Sequence, residues 1–277
     1  ILIYFFRRRY VHIAYWGHGR NMQGNPESIR EKIKAKLINT VDWWFLYTDI
    51  NVSYLLEYGV NSNNISVINN SIDTNEMDAE IKELEIKPKQ ELKNELGIRS
   101  EYVALFCGAM YPGKDLKFLI QSCIKIKDSI GNFEVLFIGS GPDEDIVKQA
   151  TEKYPWMKYI GAKYDKQRVS YFIISDVVLI PASVGLAIID CFVTNTPMIT
   201  TDVGSHGPEI SYLKNGNNGY MTPHSVSEYS KTITRYLSSP DEQEKIISGC
   251  QKSAKQYSLD SMVDNYTRGI QQCLTQR

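Results

Sequence analysis

From residue 102 to residue 200 the sequence alternates short β-branched or aromatic runs with helical periods, and this alternation constrains the fold more than any other feature. The runs "YVALFCG", "FEVLFIG", "WMKYIGA", "DVVLIPA" and "PMITTD" read as strands. Between them, "KDLKFLIQSCIKIKDS", "DEDIVKQATEKY", "DKQRVSYFIIS" and "GLAIIDCFVTN" have helical spacing. Such repeated strand–helix units predict an α/β fold with a parallel, doubly wound sheet. The end of the chain, from about 226 to 275, is helical and broken near Ser238-Ser239-Pro240.

The first ninety residues are arranged differently. An apolar start leads into a glycine turn "GHGRN" and an amphipathic helix around "PESIREKIKAKLINTV". An aromatic strand "WWFLYTD", a helix "INVSYLLEYG" and a strand "ISVINNSID" follow. The charged segment "EIKELEIKPKQELKNELGIRSE" has the composition of an interdomain connector or an exposed helix. Two units are expected: residues 1–92, a partial amino-terminal domain with its connector, and residues 93–277, a carboxyl-terminal domain with the terminal helices. The chain opens on Ile1 rather than methionine, so a fragment or a processed chain is expected.

With 31 basic and 32 acidic residues the net charge is -1, which offers no bulk attraction to a nucleic-acid backbone. An anionic partner would be met locally. Cys107, Cys123, Cys191, Cys250 and Cys273 are scattered, without the spacing of a disulfide framework or a zinc site, as suits a reducing cytoplasm. In "ILIYFFRRRYVHIAYWG" an apolar run precedes three arginines, the reverse of a secretory signal. That run reads as a strand and a solvated basic turn, with peripheral contact to the inner face of a membrane as the alternative.

In an open parallel sheet ligands bind outside the carboxyl ends of the strands, so the strand-to-helix loops hold the candidate site. In "FCGAMYPGKDL" a strand ends at Gly108 and Lys114 opens a helix, where backbone N–H groups and the dipole favour an anion. Lys114 is a phosphate ligand or an exposed first-turn lysine. In "FIGSGPDED", Gly139 and Gly141 let a ligand or a neighbouring loop approach the backbone closely. Neither loop is GxGxxG, which weakens a dinucleotide-dependent oxidoreductase. Ser183, Val184, Gly185 and Leu186 turn the strand "VVLIPA" into a helix and offer its free first-turn N–H groups. Asp190 follows, flanked by Ile188, Ile189, Cys191 and Phe192. An acid complementing the helix dipole normally sits on a polar face, and burial without a partner costs about 1–3 kcal/mol or more. A hydroxyl-bearing ligand is therefore the expected partner of Asp190.

Taken in order, "GAMYPGKDLKFLI", "VLFIGSGPD", "YIGA", "SDVVLIPASVGLAIIDCFVTNTPMITTDVGSHGPEI" and "NGNNGYM" resemble the carboxyl-terminal half of GT-B glycosyltransferases, particularly the retaining enzymes of glycosyltransferase family 4. "YTDINVSYLLEYGVNSNNISVINNSID" resembles the end of that family's amino-terminal domain. The resemblance implies two Rossmann-like domains facing a cleft, the amino-terminal one lacking its front. Lys114 would then contact the donor diphosphate, while Ala109 stands where the family has an arginine. The family's paired glutamates fall on Ala182 and Asp190, so the ribose-binding acid is kept in shortened form and the sugar-facing one is absent. His18, in "YWGHGRN", resembles the histidine that faces the donor sugar; by itself it reads equally as a capping or core histidine. His12, His206 and His224 have no comparable setting, and His206 in "GSHGPE" is expected to shape a loop.

The resemblance thus implies transfer of a sugar from a nucleoside diphosphate sugar to a hydroxyl, with retention, in assembly of a bacterial surface polysaccharide. The acceptor would be a sugar or a lipid-linked saccharide. No cofactor or metal is expected, and the nucleotide sugar is a substrate. A non-catalytic nucleotide-sugar-binding subunit is the alternative, suggested by Ala109 and Ala182, and a GT-B sugar epimerase is a third reading.

Overall fold

The chain forms two parallel sheets in the computed structural model, which describes residues 11–20 and 29–275. The apolar start with its basic turn, its suggested membrane contact and the first residues of the expected amphipathic helix lie outside the described residues.

The smaller sheet has the order β1-β2-β3, with β1 Ala14–Gly17, β2 Trp43–Leu46 and β3 Ile65–Val67. Helices α1 (Ile29–Leu37) and α2 (Val52–Glu57) connect its strands. Ile38, Trp44, Leu46 and Leu55 form one core cluster of this sheet, and Trp43, Phe45 and Ile68 another. Every residue of β2 is buried, as expected of a strand covered on both faces.

The charged connector folds into α3 (Asn75–Leu84) and α4 (Lys89–Glu95). Neither is an exposed helix. Met77, Ile81 and Leu92 are buried, because an apolar residue on each turn finds a surface on the larger unit.

The larger sheet contains β4 (Tyr102–Cys107), β5 (Phe133–Ile138), β6 (Met157–Gly161), β7 (Val177–Leu179), β8 (Met198–Thr201) and β9 (Gly219–Thr222). Its order is β6-β5-β4-β7-β8-β9 and every pairing is parallel. The strand order reverses between β4 and β7, and the crevice at such a switch point is where open α/β sheets bind ligands. Helices α5 (Leu116–Ile130), α6 (Glu144–Lys153), α7 (Val169–Ile174) and α8 (Ala187–Val193) make the crossovers. The sequence signals for these elements are local and strong. Strand β9 carries a weaker one, since it is short and follows the polar turn "NGNNG".

Helices α9 (Val226–Leu237), α10 (Pro240–Gln256) and α11 (Leu259–Thr275) end the described chain. α9 packs on α5 and α10 on α8, but α11 returns to the smaller sheet. Gly269 permits this docking: a Cβ there would lie 2.5 Å from the Phe45 ring and from Ser66 Oγ. The two passages between sheets are fastened together where Ser71 Oγ donates to the Tyr257 carbonyl at 2.6 Å. Tyr212 stacks on Tyr257 with ring centroids 3.9 Å apart, and its hydroxyl donates to the Asn70 carbonyl at 3.0 Å. Among the described residues no helix is long and apolar enough to cross a membrane.

Candidate functional site

Lys114 ends a short helical turn, Pro112–Lys114, and Asp115 caps α5 in the left-handed conformation. The lysine is buried, at 8% exposure, so the surface-lysine alternative is excluded. Nζ donates to the Ser183 carbonyl at 2.6 Å. Ser183 Oγ in turn donates to the Gly113 carbonyl at 2.8 Å. These two bonds clasp the loop after β4 to the loop after β7 and hold Ser183 at φ 52°, a costly conformation for a non-glycine residue. Among the described residues no carboxylate forms an ion pair with Lys114. Burial therefore pulls its pKa down to about 8, since a cation removed from water without a counter-charge loses its proton more readily.

The loop of Ser183 to Leu186 differs from expectation in two respects, the first being that α8 begins only at Ala187 with Leu186 as its N-cap, so these residues precede the helix and do not form its first turn. The second is that Val184 N–H is not a free donor, because it is bonded to His206 Nδ1 at 3.1 Å. His206 Nε2 faces the Thr201 carbonyl at 2.8 Å. Only the neutral ring with its proton on Nε2 serves both partners, and burial lowers its pKa accordingly. His206 thus shapes the loop, as its sequence setting suggests. Gly185 and Leu186 N–H groups have no acceptor among the described residues.

Gly139 and Gly141 are explained by a neighbouring loop. A Cβ at Gly139 would lie 1.9 Å from the Gly108 carbonyl oxygen, and one at Gly141 would lie 2.2 Å from that of Met110. Gly108, Ala109, Gly139 and Ser140 line a crevice of about 340 Å³ with Ala162, Lys163, Tyr164 and Arg168, outside the ends of β4, β5 and β6.

Asp190 is buried, but it is not without a partner. Arg168 Nη1 lies 2.5 Å from Oδ2 and Nη2 lies 3.0 Å from Oδ1, the two-pronged geometry of the strongest carboxylate pairs. Asp190 is thus not the orphaned carboxylate expected to need a hydroxyl-bearing ligand: a protein cation supplies the compensation, and Asp190 keeps only 4% of its side chain exposed. Burial works against the Arg168 charge, yet Asp190 more than offsets it and holds its pKa above the usual value. Burial raises the Asp190 pKa while Arg168 opposes it.

His18 does not share this crevice. It follows β1 on the smaller sheet, in a hollow of about 470 Å³ lined also by Trp16, Arg20, Lys34 and Trp44. Its ring meets Tyr47 edge-on at 4.5 Å and its carbonyl accepts from Asn51. Burial lowers its pKa, with the Glu209 carboxylate close enough to oppose this and Lys34 adding to it. Glu209 belongs to the turn Pro208–Tyr212 after β8, so a carboxylate of the larger unit contributes to the electrostatic surroundings of His18. Glu209 also accepts from Asn70 Nδ2 at 2.9 Å.

Sequence reasoning missed Arg168 and Glu209. Arg168 had one signal: a cation placed immediately before the apolar helix "VSYFII" opposes the helix dipole, and so calls for an acid. Glu209 had none beyond its proximity to a glycine-rich turn.

The family model described as glycosyl transferases group 1 matches residues 88–253. No curated protein sequence matches the chain. Among solved structures, Anabaena Alr3699/HepE in complex with UDP is similar with a TM-score of 0.76 at 15% identity, over 98% of this chain and 74% of that one. A glycosyltransferase from Rickettsia africae ESF-5 gives 0.71 at 16% identity, over 100% of this chain and 80% of that one. The pneumococcal O-GlcNAc transferase GtfA in complex with UDP and GlcNAc gives 0.70 at 14% identity, over 99% and 55%. At these identities the likeness is one of fold, and the fold is the GT-B arrangement of two parallel-sheet units.

Proposed function

The chain belongs to the glycosyl transferases group 1 family, and from that premise we propose that it moves a sugar from a nucleoside diphosphate sugar to a hydroxyl acceptor with retained anomeric configuration. One observation carries the reading: Lys114 is a buried cation at the switch point, held by a carbonyl and left without a carboxylate among the described residues. A diphosphate supplies the charge it lacks.

In the reaction the bond from the anomeric carbon to the diphosphate breaks with its electron pair leaving on the diphosphate oxygen, the acceptor oxygen bonds to that carbon, and the acceptor's proton passes to the departing diphosphate. Charge building on the leaving diphosphate is stabilised by Lys114 and by the Gly185 and Leu186 N–H groups, fixed donors of the kind that contribute most to such steps. In this reading no metal ion is required. Gly108, Gly139 and Gly141 let the two loops close up beneath the donor, and Ser183 fixes Lys114. His18, from the smaller sheet, orients the donor sugar or the acceptor. A ribose contact by Asp190 would require Arg168 to release one carboxylate oxygen. The smaller sheet is the acceptor side and the larger sheet the donor side, with α11 returning to the former; the expected division at residues 92 and 93 falls inside α4, which packs on the larger unit.

Uridine donors are the first to test, because HepE and GtfA were solved with UDP. We assign the acceptor to saccharides or lipid-linked saccharides of a bacterial surface polysaccharide, met in the cytoplasm or at the inner face of the membrane. The experiment is a panel of nucleotide sugars scored for thermal stabilisation and for diphosphate release with and without acceptors. Stabilisation with release that is lost in Lys114→Met supports the reading. Stabilisation without turnover would favour a binding subunit, the reading Ala109 and Ala182 suggest. No stabilisation by any donor would overturn both.

A further inference from the structure

We propose that Arg168 contacts the phosphate of the bound nucleotide and that Asp190 is its positioning residue. The inference rests on the function proposed above.

The guanidinium comes from the turn Asp165–Arg168, ahead of α7, and borders the crevice beside Ala109, Gly139 and Ser140. These neighbours offer backbone and small side chains; Arg168 brings a permanent charge. Two of its five N–H donors are bonded to Asp190 and the side chain also hydrogen-bonds the Cys107 thiol, which leaves others for a ligand. Exposure is one-sided: Arg168 keeps 25% of its side chain open against 4% for Asp190. A molecule entering the crevice therefore meets the positive end of the pair. Arg168 and Lys114 both lie near enough to the Cys107 thiol at the end of β4 to oppose the rise in its pKa caused by burial. Arg168 also borders a smaller hollow, but Asp73 and Glu76 line it and make that side unfit for phosphate.

A purely structural role is the weaker account. A buried ion pair is seldom more stabilising than apolar residues of the same volume. Locking an arginine in a fixed orientation at a ligand crevice, by contrast, pre-pays the ordering that binding would otherwise cost.

The test is titration of UDP by calorimetry, and of uridine by ligand-observed NMR, into the full chain and into Arg168→Lys, Arg168→Gln and Arg168→Gln/Asp190→Asn. Should UDP not bind, the same comparison is made with ADP, GDP, CDP and dTDP and their nucleosides. The double variant removes both charges and protects the fold from an unpaired buried carboxylate. The expected result is a loss of tenfold or more in diphosphate affinity for both glutamine variants, with nucleoside affinity within about twofold, and a smaller loss for Arg168→Lys. A merely structural pair would lower both ligands together. Diphosphate affinity unchanged in the double variant, or equal losses for diphosphate and nucleoside, would overturn the inference while leaving the proposed function standing. A parent chain that binds none of these nucleoside diphosphates would overturn both.

Discussion

Lys114 reaches past the end of β4 to the Ser183 carbonyl, 2.6 Å from Nζ, and Ser183 returns a bond to the Gly113 carbonyl at 2.8 Å. This reciprocal clasp joins the two loops that flank the switch point. It fixes the ammonium without neutralising it, because a carbonyl orients a cation but carries no net charge.

Nucleotide affinity is therefore expected to depend on pH in a range where the phosphates no longer titrate. Lys114, with a pKa near 8 in the free protein, must be protonated to hold a diphosphate, so UDP affinity falls as pH rises from about 7.5 to 9.5. Binding near pH 8 takes up a proton, visible as buffer-dependent enthalpy. Lys114→Arg should flatten the profile, and a wild-type profile already flat would refute the assignment. Stability runs the opposite way. An unfolded lysine keeps its proton to about pH 10.4, so between 8 and that value the unfolded chain binds more protons and stability rises with pH.

The Arg168–Asp190 pair should respond asymmetrically to substitution. Arg168→Met leaves a buried carboxylate unpaired and is expected to cost about 3–5 kcal/mol. Asp190→Ala frees an arginine that already reaches solvent on one side, and should cost distinctly less. Urea denaturation of both variants decides this; equal losses would mean that the arginine is as confined as its partner.

Gly139→Ala should be among the most damaging single-methyl additions. Its Cβ would meet the Gly108 carbonyl oxygen at 1.9 Å, at φ 138°. Backbone strain and overpacking at about 1–3 kcal/mol each predict a loss of roughly 3 kcal/mol or more. Gly97→Ala is the control: φ is 69° but nothing lies within 4 Å, so only the left-handed cost of about 1–2 kcal/mol applies. Thermal melts of the two should separate clearly.

The doubly wound sheet was legible because each strand and helix carried its own local period, and neighbouring units needed no long-range information to be read. Lys114 and the turn at Ser183 were legible for the same reason. Asp190 shows where local reading stops. An acid among apolar residues announces that it has a partner, but not which one, and Arg168 lies 22 residues away on the preceding crossover. The two glycines after β5 posed a similar choice between ligand and loop, which the packing of Gly108 and Met110 decides. The return of α11 to the smaller sheet was illegible, since it depends on Gly269 meeting Phe45 and Ser66 from a distant part of the chain.

His18→Ala is expected to lower the transfer rate by a factor of roughly 10² or more, the scale of a lost orienting or acid–base group. Nucleotide affinity, which the proposed function assigns to the larger sheet's loops, should hold within a few fold. An unchanged rate would reduce His18 to a turn residue.

The stitch between Ser71 and the Tyr257 carbonyl has a mechanical meaning. Two chain passages fastened there would serve as the pivot of any rocking between the lobes, with neither sheet bending. Amides around Ser71 and Tyr257 should then stay protected from hydrogen exchange whether or not nucleotide is bound, and the largest change in protection should fall at the rims, around His18 and Gly185. Loss of protection at the stitch itself would mean that the lobes separate by unfolding the joint, not by turning on it.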